Sequence, residues 1–178
     1  RSLAPARQHF LLTASIPMEI SISMISSVFS LSDTEDILRS LHQQHMLITK
    51  TGKNYRFHPL LRTFLQQTLK ETQPEWYQRL HLKAAQWYEE QDYLEAAITH
   101  YLEANAIVQA VRLAEDSANE LLIRGLPQSL LTINGLLSHV SAPRVRLVSS
   151  VVLTNLNRIE ESNAQLLPAE TGFQDRGE

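Results

Sequence analysis

A single histidine at a strand-to-helix joint is the residue of this chain best placed to do chemistry. Residues 55–57 alternate apolar and polar side chains, which is typical of a half-buried strand, and Pro59 then suits the first turn of a helix. His58 lies between the two, at a helix N-terminus, where backbone N–H groups can hold an anion. The pattern predicts either a phosphate-binding position or a plain helix entry, and local physics alone leaves both open.

Other motifs with ligand-binding or catalytic chemistry fall short of their required patterns. Gly52-Lys53 resembles the end of a phosphate loop, but Leu47 stands where the motif needs its first glycine. His42 and His45 are three residues apart on a predicted helix, and no third ligand suggests itself, so we predict no metal site. We therefore expect no enzymatic activity from this chain on its own.

The composition is that of an ordinary globular chain from a reducing compartment. The 178 residues include no cysteine, which excludes disulfides and thiolate metal sites. The net charge of -3 gives no general attraction to nucleic acid or to anionic membranes. No apolar run approaches the roughly 18 residues of a membrane span, and no signal peptide follows Arg1. We expect a cytoplasmic fragment of a longer protein.

Three helices, a hairpin and a fourth helix are predicted around His58. Helix signals cover residues 5–14 and 20–29, although β-branched residues also allow a strand in the second segment. Ser32 and Glu35 form a capping box that opens the third helix, whose inner face is predicted to carry Ile37, Leu38, Leu41 and His45. Residues 46–57 read as a hairpin whose turn uses Gly52. Over residues 1–72 this order predicts a winged-helix domain.

A winged-helix domain raises the question of DNA binding. The helix that would enter the major groove opens with three acidic residues, Asp33, Glu35 and Asp36. Acidic groups at that position repel DNA phosphates. The hairpin carries three basic residues, Lys50, Lys53 and Arg56, which are also typical of a solvated edge. We expect a packing module, with direct DNA binding as the less favoured alternative.

The helix start and stop signals in the rest of the chain predict antiparallel helical repeats over residues 73–167. Pro74 opens a helix that breaks at residues 91–92, and a partner helix begins at Tyr93. A second hairpin follows, with Gly125 placed to stop its first helix and a return helix running through Leu137. Pro143 opens a last helix, and we expect a frayed, disordered end over residues 168–178.

Small and aromatic residues of the first hairpin match the spacing of a tetratricopeptide repeat. The matching residues, expected to pack the repeat, are Ala85, Tyr88, Ala97, Tyr101 and Ala104. The copy is imperfect, because His81 and Ala84 stand where such a repeat has Trp and Leu. Stacked repeats leave a concave surface on which a partner can bind, although aromatic residues at helical spacing more often only fill a core.

Three segments taken together resemble a known family. They are Phe57-His58-Pro59-Leu60-Leu61-Arg62-x-Phe64-Leu65, Leu80-His81-x-x-Ala84-Ala85-x-Trp87-Tyr88-Glu89 and Glu95-Ala96-Ala97-Ile98-x-His100. With them, roughly residues 5–140 resemble the MalT-like, ATP-dependent LuxR-type transcriptional activators of bacteria, which are signal-transduction NTPases. That family places a P-loop ATPase before a winged-helix domain. A helical-repeat sensor and a DNA-binding helix-turn-helix follow.

The resemblance implies roles for two residues. In related NTPases a Met-His-Asp motif at this joint places its histidine near the β-phosphate of bound ADP. The tripeptide here is Phe57-His58-Pro59, so the histidine matches and the aspartate does not. His58 is the expected nucleotide-phosphate contact, and Arg62, one helical turn on, is its expected support. ATP or ADP would be bound by the P-loop domain of the parent protein, and no cofactor is expected within this chain.

Two main hypotheses remain open. In the first, the winged helix closes on ADP held by an upstream P-loop ATPase domain, and the repeats bind an inducer or regulatory protein that releases it. Further repeats of the same chain would follow, and DNA would be bound only by a C-terminal domain outside this segment. In the second, the chain is a helical-repeat scaffold for protein–protein interaction without a nucleotide role. Neither hypothesis involves a membrane.

Overall fold

A computed structural model describes residues 5–29, 34–43 and 47–177. In these ranges the chain forms ten helices and one two-stranded hairpin, so the predicted class, a mainly helical winged-helix domain followed by antiparallel helical repeats, is confirmed. Two compact units, Arg1–Trp87 and Tyr88–Glu178, divide the chain. The division falls inside a continuous helix, whereas the sequence prediction set the domain boundary at residues 72–73.

The first unit contains the elements of a winged helix. They are α1 (Pro5–Ala14), α2 (Ile22–Phe29), α3 (Thr34–Gln43), β1 (Ile48–Thr51), β2 (Asn54–Phe57), α4 (Pro59–Thr72) and most of α5 (Pro74–Glu90). Helix α2 begins two residues later than predicted, because Ile20 pairs with Tyr55 through hydrogen bonds of 2.7 and 3.0 Å. The predicted cap Ser32, and with it the capping box, lies outside the described residues, as do Asp33, His45 and Met46.

The hairpin has the predicted turn. Its antiparallel register pairs Ile48 with Phe57 and Thr51 with Asn54, which leaves a two-residue loop. Gly52, the first of these two residues, has φ +62°, a conformation that costs glycine little and other residues more. Gly52-Lys53 therefore serves as a hairpin turn, as the sequence indicated.

Helix α5 begins as part of the first unit, which explains why the units do not divide at its start. The imidazole of His9 on α1 stacks on the indole of Trp76, with 4.5 Å between ring centroids and 13° between planes. The ammonium of Lys70 on α4 lies 5.4 Å from the ring centroid of Tyr77. Both contacts use residues of the first α5 turn, so that turn belongs to the winged helix.

The second unit continues with five helices beyond α5. They are α6 (Leu94–Glu103), α7 (Ile107–Ile123), α8 (Pro127–Leu136), α9 (Pro143–Asn155) and α10 (Ile159–Arg176). The expectation of a frayed end over residues 168–178 differs from the structure, because α10 runs through Pro168 to Arg176. Packing offsets the hydrogen bond that proline cannot make: Ala169 and Gly172 are buried, and a Cβ on Gly172 would lie 3.1 Å from the Cβ of Pro143.

One turn geometry recurs at four helix ends of the second unit. The second residue after each helix has a left-handed φ of 57° to 70°, and these residues are Asp92, Asn105, Gly125 and Asn157. The next N–H in each case bonds back five residues, as in Tyr93 N to Tyr88 O at 2.9 Å and Leu126 N to Leu121 O at 2.9 Å. This is the Schellman helix stop. Its recurrence makes the second unit a series of alike helical connections.

Substitutions at these turns should change stability in opposite directions. Replacing Asn105 by Gly should raise the free energy of unfolding by about 0.5–1 kcal/mol, because glycine adopts a left-handed φ without a Cβ clash. Gly125→Ala should lower it by about 1 kcal/mol for the same reason. Urea unfolding followed by circular dichroism measures both.

Gly135→Ala is the matched control. Gly135 lies inside α8, and the described residues beyond its own helix stay more than 4 Å from the position that an added Cβ would take. Alanine should therefore stabilise the helix by up to about 1 kcal/mol. Equal effects of Gly125→Ala and Gly135→Ala would contradict the account of the turn.

Candidate functional site

His58 is the N-cap of α4 and its side chain is exposed. The backbone N–H of Leu60 donates to His58 Nδ1 at 3.3 Å. Since Nδ1 accepts this hydrogen bond, the proton of the neutral imidazole is on Nε2. The ring therefore carries an N–H donor on the side away from its own helix cap. A donor of this kind can bind a phosphate oxygen.

The backbone around His58 is held by both neighbouring elements. The N–H of His58 donates to the carbonyl of Leu47 at 2.7 Å, and the carbonyl of His58 accepts from the N–H of Arg62 at 3.0 Å. Within the first turn of α4, Pro59 has no N–H and the N–H of Leu60 is already used by the imidazole. Any anion at this joint would accordingly meet the imidazole Nε2–H more readily than a cradle of backbone amides.

Arg62 and Gln66 fasten α4 to the end of α1. Arg62 donates from Nε to the carbonyl of Ser15 and from Nη2 to the carbonyl of Ile16, each at 3.0 Å. Gln66 Nε2 donates to the Ser15 carbonyl at 2.8 Å. Carbonyls just past a helix end lack intrahelical partners and sit at the negative end of the helix dipole, so a guanidinium suits them. The predicted support of His58 by the Arg62 side chain stays a prediction, because the hydrogen bonds of the guanidinium described above go to the two residues that follow α1.

Large apolar side chains near His58 are exposed. Leu60 is 74% exposed and Phe64, one turn later on α4, is 64% exposed. Leu47, whose carbonyl binds the His58 N–H, is also exposed. We call His58, Leu47, Leu60 and Phe64 the α4 surface. Neighbouring exposed apolar residues of this size are typical of an interaction site.

His81, which stands where a tetratricopeptide repeat has Trp, is buried inside the first unit. Burial, together with the positive charges of Arg62 and Lys70, lowers the pKa of His81 to about 4. Its ring lies 4.3 Å from that of Tyr77. No pattern in the sequence indicates this burial. His81 is neutral at pH 7 and acts as a packing residue.

Residues Glu89, Tyr101 and Arg112 form a polar network in the second unit. The buried Tyr101 hydroxyl donates to one carboxylate oxygen of Glu89, and Arg112 Nη2 donates to the other at 2.7 Å. Burial and the Glu89 carboxylate raise the pKa of Tyr101 to about 12. Burial alone would raise the pKa of Glu89, but the bonds from Tyr101 and Arg112 bring it below its usual value. The network joins the end of α5 to α6 and α7.

The structure places the five predicted repeat-packing residues at different depths. Ala85, Ala97 and Tyr101 are buried, while Tyr88 and Ala104 are half-buried. The Tyr88 ring stacks on that of His100, with 5.2 Å between centroids and 11° between planes. The sequence indicated the packing role of Tyr101 and missed the hydrogen bond of its hydroxyl, because the acceptor Glu89 lies 12 residues earlier, on another helix.

The elements that would contact DNA have much of their positive charge engaged. Arg39 on α3 pairs with Glu35 at 2.6 Å and with Asp36 at 3.5 Å. On the hairpin, Arg56 pairs with Glu19, and the pKa of Glu19 falls because Arg56 and Asn54 donate to it. These ion pairs are exposed and thus weak, but they offset the basic side chains that a groove-reading surface needs.

Metal-site and membrane signals are absent from the described part of the chain. Among residues 5–29, 34–43 and 47–177, no three acidic or histidine side chains gather as a metal site would require. His42 Nδ1 lies 3.3 Å from the carbonyl oxygen of Ile48. No helix in those ranges is both long and apolar enough to cross a bilayer.

The fold, with His58 at the junction of β2 and α4, is that of a winged-helix module followed by helical hairpins. Residues 1–77 match the family model of the MalT winged helix domain, which supports a MalT-like fragment. Over 159 residues, or 87% of its length, the chain is 25% identical to the serine/threonine-protein kinase PknK of Mycobacterium tuberculosis (strains CDC 1551 / Oshkosh and ATCC 25618 / H37Rv). The same identity holds for PknK of Mycobacterium bovis (strain ATCC BAA-935 / AF2122/97). The chain spans 14% of the length of these relatives.

Folding stability should depend on pH through His81. The folded-state pKa of about 4 lies below the unfolded value of 6.5, so only the unfolded chain gains a proton between them. Stability is full above pH 6.5 and falls as the pH drops towards 4, by up to about 3 kcal/mol. His81→Leu should flatten this part of the curve, as measured by urea unfolding at a series of pH values.

Exposed His139 provides the comparison. His139→Gln should leave the slope between pH 4 and 6.5 as it is. A slope that survives His81→Leu unchanged would contradict the assignment.

The Tyr101 hydroxyl should contribute measurably to stability. Tyr101→Phe leaves a carboxylate oxygen of Glu89 without its buried donor, so the free energy of unfolding should fall by about 1–2 kcal/mol. Tyr93→Phe removes a hydroxyl from an exposed tyrosine of the same hairpin and should change it by less than about 0.5 kcal/mol. Equal losses in the two variants, measured by thermal and urea unfolding, would assign no role to the network.

Proposed function

We propose that this chain is a regulatory segment that couples the nucleotide state of a P-loop ATPase module to a helical-repeat sensor in a MalT-like transcriptional activator. The observation that carries the proposal is the exposed imidazole of His58, held at the N-cap of α4 with Nε2–H as its outward donor. The match of residues 1–77 to the MalT winged helix domain supports it. The proposal implies a cytoplasmic protein.

The chemistry expected of His58 is recognition of a phosphate by a fixed donor. A hydrogen bond to an ionised oxygen is shorter and stronger than a neutral one, and loss of such a bond typically costs about 1.5–3 kcal/mol. The position beside a helix N-terminus favours negative charge further. We propose the β-phosphate of ADP as the group contacted, with ATP or ADP bound mainly by the P-loop of the parent protein.

The α4 surface is the proposed contact with the ATPase module. Leu60 and Phe64 are exposed in this chain and lie within two turns of His58, so a domain that presents a phosphate to His58 would also cover them. Arg62 and Gln66 would keep α4 in place against α1 while this surface opens and closes. Closure with ADP is the proposed resting state.

The helical hairpins are the proposed receiver of the signal. An inducer or regulatory protein that binds them would favour the open state and release the winged helix from ADP. DNA would be bound by a separate C-terminal domain of the parent. The kinase activity named for PknK is not carried over, because this chain spans 14% of those relatives and its sequence has neither a His-Arg-Asp nor an Asp-Phe-Gly motif.

Two substitutions at His58 separate nucleotide contact from helix capping. In the full-length protein, His58→Ala and His58→Asn should each weaken ADP binding by about tenfold or more, because both remove the Nε2–H donor. Asparagine keeps an N-cap acceptor, so only His58→Ala should also lower the melting temperature, in line with a lost cap of about 1 kcal/mol. Isothermal titration calorimetry and thermal unfolding give the two readouts.

A second candidate, a repeat scaffold without nucleotide chemistry, is favoured by the exposed apolar residues that α9 and α10 also carry. It predicts the opposite result in the same experiment. ADP affinity that is unchanged in both His58 variants, or a full-length protein that binds no nucleotide, would contradict the regulatory proposal and leave the scaffold. The 178-residue chain alone should bind ADP weakly or not at all under either candidate.

A further inference from the structure

The last two helical hairpins of the second unit can be aligned in sequence on their turns. Gly125 and Asn157, the left-handed residues that end α7 and α9, are 32 residues apart. Pro127 and Ile159, where α8 and α10 begin, are also 32 residues apart. A shift of 32 therefore relates residues 111–136 of the α7–α8 hairpin to residues 143–168 of the α9–α10 hairpin.

The α7–α8 hairpin contacts the following hairpin through two polar side chains. Glu115 accepts hydrogen bonds from the backbone N–H of Arg144 at 3.3 Å and from Arg176 Nη1 at 2.6 Å. Asn134 Nδ2 donates to Gln165 Oε1 at 3.2 Å. The α9–α10 hairpin covers Glu115, and the side chain of Glu115 is only 10% exposed. Positions 115 and 134 thus belong to the interface between successive hairpins.

The equivalents of these two residues in the α9–α10 hairpin are leucines. Leu147 corresponds to Glu115 and Leu166 to Asn134, and each is 42% exposed. Val151, one turn after Leu147 on α9, and Ile159, two turns before Leu166 on α10, are exposed as well. We call Leu147, Val151, Ile159 and Leu166 the α9–α10 face. It includes the two positions, 147 and 166, whose equivalents in the preceding hairpin contact the next one, and all four of its residues are apolar.

We infer that the α9–α10 face is the stacking surface for a further antiparallel helical hairpin of the same chain. Helix α9 packs on both α7 and α8, and a hairpin repeating this arrangement would set its first helix on both α9 and α10. The interface already present between α7–α8 and α9–α10 is thereby continued in register. The partner must present apolar side chains at helical spacing, because the four residues of this face carry no charge that calls for a complement.

The inference rests on the repeat architecture of the second unit and is independent of any nucleotide contact at His58. It can therefore fail while the proposed coupling holds, and the reverse is also true. Two other occupants, a second copy of this chain and an unrelated protein, are separate outcomes of the test below.

Cysteine labelling can test the inference because this chain has no cysteine of its own. Leu147→Cys and Leu166→Cys place a thiol on the face, and Ile123→Cys places one at the exposed end of α7, away from it. In the 178-residue chain all three should react with a maleimide at similar rates. In the natural full-length protein the two face thiols should react at least about tenfold more slowly than the control, because covered sites react only through local opening.

A stepwise extension identifies what covers the face. Adding the next hairpin length of natural sequence, about forty residues, to the chain should already protect Leu147→Cys and Leu166→Cys. Equal labelling of face and control thiols in both the extended and the full-length protein would overturn the inference. So would protection within the unextended chain that rises with concentration and accompanies a dimer in sedimentation equilibrium, which would assign the face to a second copy. Protection in the full-length protein without protection in the extended chain would assign it to another domain.

Discussion

The carbonyl oxygens of Ser15 and Ile16 are the constraint on which the first unit depends. They follow the end of α1, where no helical N–H can reach them, and they are satisfied by side chains of α4 that lie 46 to 51 residues later in the chain. Buried backbone acceptors left unpaired are costly, so these bonds fix where α4 runs. Strand pairing fixes the residue before α4, and His58 is positioned by both.

The local parts of this arrangement could be predicted from the sequence. Alternation over residues 55–57, a proline at a first helical turn and a glycine in a two-residue loop each depend on neighbours along the chain. The bridge between Ile20 and Tyr55 and the partners of Arg62 depend on residues tens of positions apart, and one sequence contains no signal for them. The frayed end expected after Pro168 differs from the structure for a related reason. The cost of a proline inside α10 is offset by packing against the start of α9, which is distant in the sequence.

The features of the candidate site also fall into two groups, those that neighbouring residues predict and those that depend on tertiary contacts. The position of His58 at a helix start follows from its neighbours, whereas the use of Nδ1 as its own helix cap, and hence the proton on Nε2, follows only from the three-dimensional geometry. The burial of His81 and the sharing of Glu89 between Tyr101 and Arg112 also arise from tertiary packing. Residue type indicated the packing role of Tyr101, and geometry added the polar one.

The four alike turns have a consequence for how the second unit can open. Three of them force Asp92, Asn105 and Asn157 into a backbone conformation that glycine would accept with less strain, while the α7–α8 turn uses Gly125. Stability along a repeat array is a sum of local and nearest-neighbour terms, so it is lowest where such strain adds to an uncovered edge. That combination occurs at Asn157, beside the exposed Leu156 and Ile159. In the 178-residue chain, where the α9–α10 face is uncovered, we expect cooperative unfolding of this unit to start by separation of α10 from α9 and to advance towards α6.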